Sequence, residues 1–153
     1  MGSGLIVKCE KCSYRFESFT GVGYMFVKVY DDTVKEIKRG KYGKEYKKFF
    51  KEHENAVVDC SFVTALCPGC GRLERVKNMT LYLPSSPKFD GNGYVMFDEV
   101  TKGFKKCREY GHKCSSCGES LKFIDLPEEV VKGTVKCPDC GGKLIADEFL
   151  NWD

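Results

Sequence analysis

Apolar positions along this chain come in short runs, each broken within a few residues by a Cys-x-x-Cys or a glycine. Residues 5–8 form an apolar lead-in to Cys9-Glu-Lys-Cys12, and Tyr14-Arg-Phe-Glu-Ser-Phe then alternates with the period of a half-buried strand. After the break at Gly21-Val-Gly23, residues 24–30 are aromatic and β-branched, which predicts a second, well-buried strand. Asp31 or Asp32 can cap a following helix that contains Val34 and Ile37 and ends at Gly40. From about residue 43 to 53 a second helix is predicted, because Tyr42, Tyr46, Phe49, Phe50 and His53 fall at offsets 0, 4, 7, 8 and 11 on one helical face.

Beyond the helices, residues 56–66 read as a strand entering Cys67-Pro-Gly-Cys70, and residues 73–83 as the strand that returns. Val58, Cys60 and Phe62 share one face of the first of these, so Cys60 reads as a small core hydrophobe rather than a ligand. Residues 84–93 concentrate Pro, Ser, Gly and Asn and form the natural linker. Residues 94–97 and 104–110 then suit a hairpin turned near Lys102-Gly103. Cys107 and His112 have no partner at ligand spacing and read as structural. Near the C-terminus, a strand at 121–124, a helical turn at 126–132 and a strand at 144–149 surround the last two Cys-x-x-Cys pairs, with Trp152 as an aromatic lid. The opening Met-Gly-Ser-Gly reads as a tag remnant.

The chemistry lies in the cysteines. Eight of the ten form four Cys-x-x-Cys pairs: Cys9/Cys12, Cys67/Cys70, Cys114/Cys117 and Cys137/Cys140. Two thiolates at this spacing can bind one metal ion about 2.3 Å away, and two pairs complete a tetrahedral site. Gly71, Gly118 and Gly141 follow the second cysteine of three pairs, where a positive φ lets backbone N–H groups turn towards sulfur. Two pairs read Cys-Pro-x-Cys-Gly and resemble rubredoxin knuckles. Four pairs imply two metal sites, each expected to hold Zn2+, with iron as the alternative. Three pairings are open. The sequential one is favoured, with Cys9, Cys12, Cys67 and Cys70 in one site and Cys114, Cys117, Cys137 and Cys140 in the other, because only nineteen residues separate the last two pairs.

The predicted fold class is therefore α+β, small and zinc-stapled, with two rubredoxin-like β-hairpin units. Residues 1–83 form the first ribbon, with an insertion at about 20–55; residues 94–153 form the second. Without an apolar run of 18 residues or an export signal, a cysteine-rich chain reads as reduced and cytoplasmic, with no membrane partner.

Charge alters the functional reading. The formal +3 falls to about −1 once two four-thiolate zinc sites each add −2. Residues 1–55 nevertheless carry 12 basic and 8 acidic side chains, against 5 and 8 in residues 113–153. Lys44, Lys47, Lys48 and Lys51 fall opposite the apolar face of the second helix; they suit a solvated face or contacts to nucleic-acid phosphates. No enzyme is expected. A site filled by four cysteines offers no open position, and neither His53 nor His112 lies in a nucleophile or zincin motif. Three function classes remain: an adaptor module for an unidentified protein partner, a nucleic-acid binder using the lysine-rich helices, and a rubredoxin-like iron protein for electron transfer. The first is favoured, and no small-molecule substrate is apparent.

The N-terminal Cys-x-x-Cys with Gly21-Val-Gly23-Tyr-Met, the Lys/Tyr-rich helices, Cys67-Pro-Gly-Cys70-Gly, and the C-terminal four-cysteine ribbon ending near Trp152-Asp153 together resemble a family of uncharacterised bacterial proteins with paired rubredoxin-like zinc ribbons. The resemblance covers most of the chain. It implies the metal and the architecture and brings no activity with it.

Overall fold

Leu5, Ile6 and Val7 are apolar at successive positions, so a strand built from them must be covered on both faces. In the computed structural model, which describes residues 2–23, 25–86 and 103–152, strand β1 (Gly2–Cys9) has neighbours on both sides. On one side it forms a hairpin with β2 (Arg15–Gly21), and on the other it pairs antiparallel with the last strand, β9 (Leu144–Trp152). Val7 is fully buried and Leu5 and Ile6 nearly so. The remaining strands are β3 (Val57–Val58), β4 (Phe62–Leu66), β5 (Leu73–Lys77), β6 (Leu81–Pro84), β7 (Phe104–Arg108) and β8 (Lys122–Ile124). With three helices among the described residues and antiparallel sheets, the fold is α+β. Among those residues no helix is long and apolar enough to cross a membrane.

The chain divides into two units, and both are discontinuous in sequence. The first comprises Met1–Gly23, Phe62–Lys77 and Gly111–Asp153; the second comprises Tyr24–Ser61 and Asn78–Tyr110. A split into residues 1–83 and 94–153 does not describe them, and residues 87–93 of the expected linker lie outside the described part.

In the first unit the strand order is β5-β4-β2-β1-β9, with β8 pairing to β4. Helix α3 (Leu126–Lys132) starts at Asp125, whose carboxylate accepts the Glu128 N–H, and stops at Gly133, where φ is +69°. Its Leu126 and Val130 join Leu5, Val7, Leu73, Val135 and Leu144 in one core that also contains Cys9 and Cys137. The expected helical turn is thus a core element rather than a spacer. Ser18 on β2 and Thr64 on β4 hydrogen-bond at 2.5 Å in the interior. At the far end of β1, a β-carbon on Gly2 would stand 2.3 Å from the Trp152 ring, whose Nε1 donates to the Ser3 carbonyl at 3.3 Å. The opening residues are therefore part of the sheet, and Trp152 covers their glycine.

The second unit holds α1 (Phe26–Arg39), α2 (Lys44–Glu52) and the sheet β3-β6-β7. The strand expected at 24–30 is overturned, since residues 26–30 begin α1. Phe26, Tyr30, Thr33 and Ile37 are buried at offsets 0, 4, 7 and 11, and this helical stripe outweighs the local β-branched composition. Asp31 and Asp32 therefore lie inside the helix rather than capping it. The second helix falls where its periodicity placed it, with Tyr46 buried and donating its hydroxyl to the Met79 carbonyl at 2.9 Å. The strands expected at 56–66 and 73–83 are each interrupted. Asp59, whose carboxylate takes the Ser61 N–H and hydroxyl, separates β3 from β4; Asn78 and Met79 separate β5 from β6. β7 pairs with β6, and the hairpin partner expected at 94–97 lies outside the described residues.

Because Leu126 is 1% exposed and central to the first core, Leu126→Ala is expected to destabilise the metal-loaded protein by about 2–5 kcal/mol. Denaturant unfolding of the loaded chain measures this, and a loss below about 1 kcal/mol would mean that α3 is peripheral.

Candidate functional site

All four Cys-x-x-Cys turns use one local geometry. The residue before the first cysteine pairs with the residue seven further on: Lys8 with Arg15, Leu66 with Leu73, Lys113 with Ser120, and Lys136 with Lys143. Inside each turn the first cysteine N–H donates to a carbonyl five residues later, at Tyr14, Arg72, Glu119 and Gly142, over 2.8–3.0 Å. In three turns the glycine after the second cysteine, with φ between +72° and +78°, donates back to the carbonyl of the first. Each first cysteine is buried, whereas Cys12, Cys117 and Cys140 reach the surface and Cys70 is half-buried.

The turns combine in a nested order. Cys9 and Cys12 gather with Cys137 and Cys140, and Cys67 and Cys70 with Cys114 and Cys117, all four sulfurs in each group lying within 4.8 Å of one another. The sequential pairing is therefore incorrect: the same eight cysteines are used, but partners are exchanged between the sites. Two sets of strands enforce this. Strand β1 enters the first turn alongside β9 leaving the fourth, with Lys8 opposite Ile145; β4 enters the second alongside β8 leaving the third, with Leu66 opposite Lys122. The two offsets are identical, so the outer and inner sites each sit at the end of equivalent three-stranded arrangements, β2-β1-β9 and β5-β4-β8.

The expectation of sequential closure rested on loop length. Closing the 124 residues between Cys12 and Cys137 instead of the 19 between Cys117 and Cys137 costs only about 2 kcal/mol more. Metal binding contributes equally to either pairing. The β1–β9 ladder and the core that Leu144, Leu126 and Val130 complete with Leu5 and Val7 decide the order, since burying each such side chain is worth about 1.5–3 kcal/mol.

Both clusters fit a metal ion. The nearest sulfurs are 3.4 Å apart for Cys9 and Cys140, 3.5 Å for Cys12 and Cys137, 3.4 Å for Cys67 and Cys117, and 3.7 Å for Cys70 and Cys114. Four ligands about 2.3 Å from a central ion have edges of about 3.8 Å, whereas a disulfide would be near 2.05 Å. None of the ten cysteines forms a disulfide.

Backbone donors prepare the sulfurs for this role. The Lys11 N–H, 3.3 Å from Cys9 Sγ, lowers that thiol to about 7 against the pull of desolvation, and the Cys70 N–H does the same for Cys67, also to about 7. Their neighbours move the other way. The Tyr14 N–H favours the Cys12 thiolate, but desolvation and the crowding of Cys137, Cys140 and Cys9 push it up to about 12. Cys117 reaches about 12 by the same crowding, with the Glu119 N–H opposing. A cation at the centre of such a cluster would favour the thiolate form of all four.

Two supporting residues were not legible as site residues. Glu74 on β5 accepts the Ser115 N–H at 2.8 Å and its hydroxyl at 2.9 Å, fixing the third turn; although desolvation works against it, these bonds hold its carboxyl below the usual range. At the outer site, a β-carbon on Gly142 would stand 2.9 Å from Cys9 Sγ and 3.2 Å from Cys140 Sγ. The paired glycines after Cys140 were the available signal for the second.

Of the other sulfur and imidazole groups, Cys60 is buried at 1% exposure and belongs to neither cluster, as expected. Cys107 is exposed, with its thiol 3.4 Å from the Lys105 carbonyl, and the His112 ring packs against Phe123 at 5.7 Å. Lys44, Lys47, Lys48 and Lys51 are all exposed on α2. No family model, curated protein or solved structure matches the chain.

Gly142→Ala is expected to weaken metal binding at the outer site at least tenfold while leaving the inner site unchanged, as read by chelator competition; equal affinities at both sites would contradict the packing at Gly142. Glu74→Gln should do the reverse and loosen only the inner site. Metal affinity should also fall with acidification: ligand thiols must be deprotonated, so protons compete increasingly as pH drops through about 7, where Cys9 and Cys67 titrate. Affinity that stays flat from pH 8 to 5 would contradict thiolate ligation.

Proposed function

We propose that this chain is a non-catalytic zinc protein, with two structural four-cysteine sites that stiffen a protein-interaction module. The closure of both sites by sulfur carries the reading. Among the described residues no histidine or carboxylate joins either cluster, and four protein ligands leave no coordination position for water or substrate. Zinc is the assigned metal because closed four-cysteine sites are its common structural use. Iron fits the same donor geometry and is the outcome that visible spectroscopy would reveal.

Apolar side chains held in water by the stapled unit support the interaction role. Val131 on α3 is 88% exposed and Phe149 on β9 is 73% exposed, with Phe123 on β8 also at the surface. A second reading, nucleic-acid binding through Lys44, Lys47, Lys48 and Lys51, is favoured by their common exposure opposite buried Tyr46. Only Lys48 has an ion-pair partner among the described residues, Glu52 at 3.6 Å.

Elemental analysis of protein purified without added metal should find two zinc ions per chain. Visible charge-transfer bands would replace zinc by iron, and one ion or none would contradict the two-site reading. For the interaction role, Phe149→Asp and Val131→Asp should abolish capture of a specific protein partner while both metals remain bound; capture unaffected by either change would remove this surface from the proposal.

A further inference from the structure

The basic residues are segregated. Residues 24–61 and 78–110 carry 14 basic and 11 acidic side chains, a net +3, whereas the metal-binding unit has 11 of each. Loading that unit with two zinc ions takes it to about −4, so the near-neutral charge of the whole chain conceals a basic second unit. Within this unit α1 and α2 frame a cleft of about 320 Å³. Buried Tyr30 and Ala56 lie at its bottom, half-buried Phe50 and His53 line it, and exposed Lys38 and Glu54 stand at its mouth.

The cleft adjoins the lysine stripe. On α2, Phe50 sits at the border between the buried face and the side that carries Lys47, Lys51, Lys44 and Lys48. Lys47 reaches over the turn between the helices, its Cδ 3.9 Å from where a β-carbon on Gly40 would be, and this brings it towards the basic C-terminal end of α1 with Lys38 and Arg39. An aromatic slot large enough for a base, with cations along one side, has the complementarity a single strand requires: stacking for a base and charge for successive phosphates. Glu54 adds an acceptor that suits a base N–H and disfavours a plain polyanion at the same position.

We propose that the cleft formed by Tyr30, Phe50, His53 and Lys38 is a binding site for an unpaired base of single-stranded nucleic acid, whose phosphates run along the lysines of α2. The proposal rests on the nucleic-acid reading above and adds the place where the base sits.

The test uses the full, zinc-loaded chain and three fluorescein-labelled probes: oligouridine, the matching oligothymidine, and a DNA duplex of equal length. Both single strands should bind more tightly than the duplex, with affinity falling as salt rises. Phe50→Leu, which keeps apolar bulk without a ring, should weaken single-strand binding about tenfold and leave duplex binding unchanged. Unchanged single-strand binding in that variant, with its fold and zinc content intact, would overturn the cleft while sparing the lysine surface. No binding of any probe by the wild type, even at low salt, would overturn both. Should Phe50→Leu fail to fold, exposed Lys38→Gln decides: its salt slope should be shallower by roughly 0.7, and an unchanged slope would overturn the site.

Discussion

Four cysteines gathered within a few ångströms stay together as thiolates only around a cation, and two such clusters of sulfurs are built into this protein. The first cysteine of every turn is buried and donates its N–H to a carbonyl five residues later, and backbone N–H groups reach the sulfurs of Cys9, Cys67 and Cys114, so the polypeptide supplies pre-formed half-sites that a metal ion could join. In the outer site the metal would join the ends of β1 and β9, and in the inner site those of β4 and β8. The sheet and the core under α3 would then depend on the same ions, since binding free energy at such sites is folding free energy. The outer cluster is where the first and last parts of the chain are brought together.

Much of the cysteine chemistry was legible in the sequence because Cys-x-x-Cys has one spacing and one local geometry. That these eight cysteines gather into clusters followed from it, as did the position of α2 and the exclusion of Cys60. The partners did not follow. Loop entropy varies slowly with length, so local closure decides little; the pairing of β1 with β9 is a long-range contact, and the apolar run Leu5-Ile6-Val7 marks only a strand buried on both faces. The composition of residues 24–30 reads as a strand, yet the helical spacing from Phe26 to Ile37 prevails and residues 26–30 open α1. Gly142 and Glu74 were out of reach for another reason: a glycine's close approach and a carboxylate's grip on a distant turn exist only once the nested order is known.

One unit carries the two four-cysteine clusters, and the other, encoded in two stretches between the turns, is helical and basic. A metal ion held by four cysteines would have no open coordination position, so the proposed roles fall to groups outside the clusters: exposed Val131 and Phe149 on one unit, and the lysines and aromatic cleft on the other. The two proposed roles are compatible, since each uses a different unit and neither requires the metals to react.

The nested order is the central claim, and metal stoichiometry in paired serine variants tests it most directly. Replacing both Cys9 and Cys137 should disable only the outer site and leave one zinc ion bound, whereas replacing both Cys9 and Cys67 should damage both sites and leave none. The opposite result, one ion retained by the Cys9→Ser/Cys67→Ser protein and none by Cys9→Ser/Cys137→Ser, would establish sequential pairing and contradict the arrangement described here.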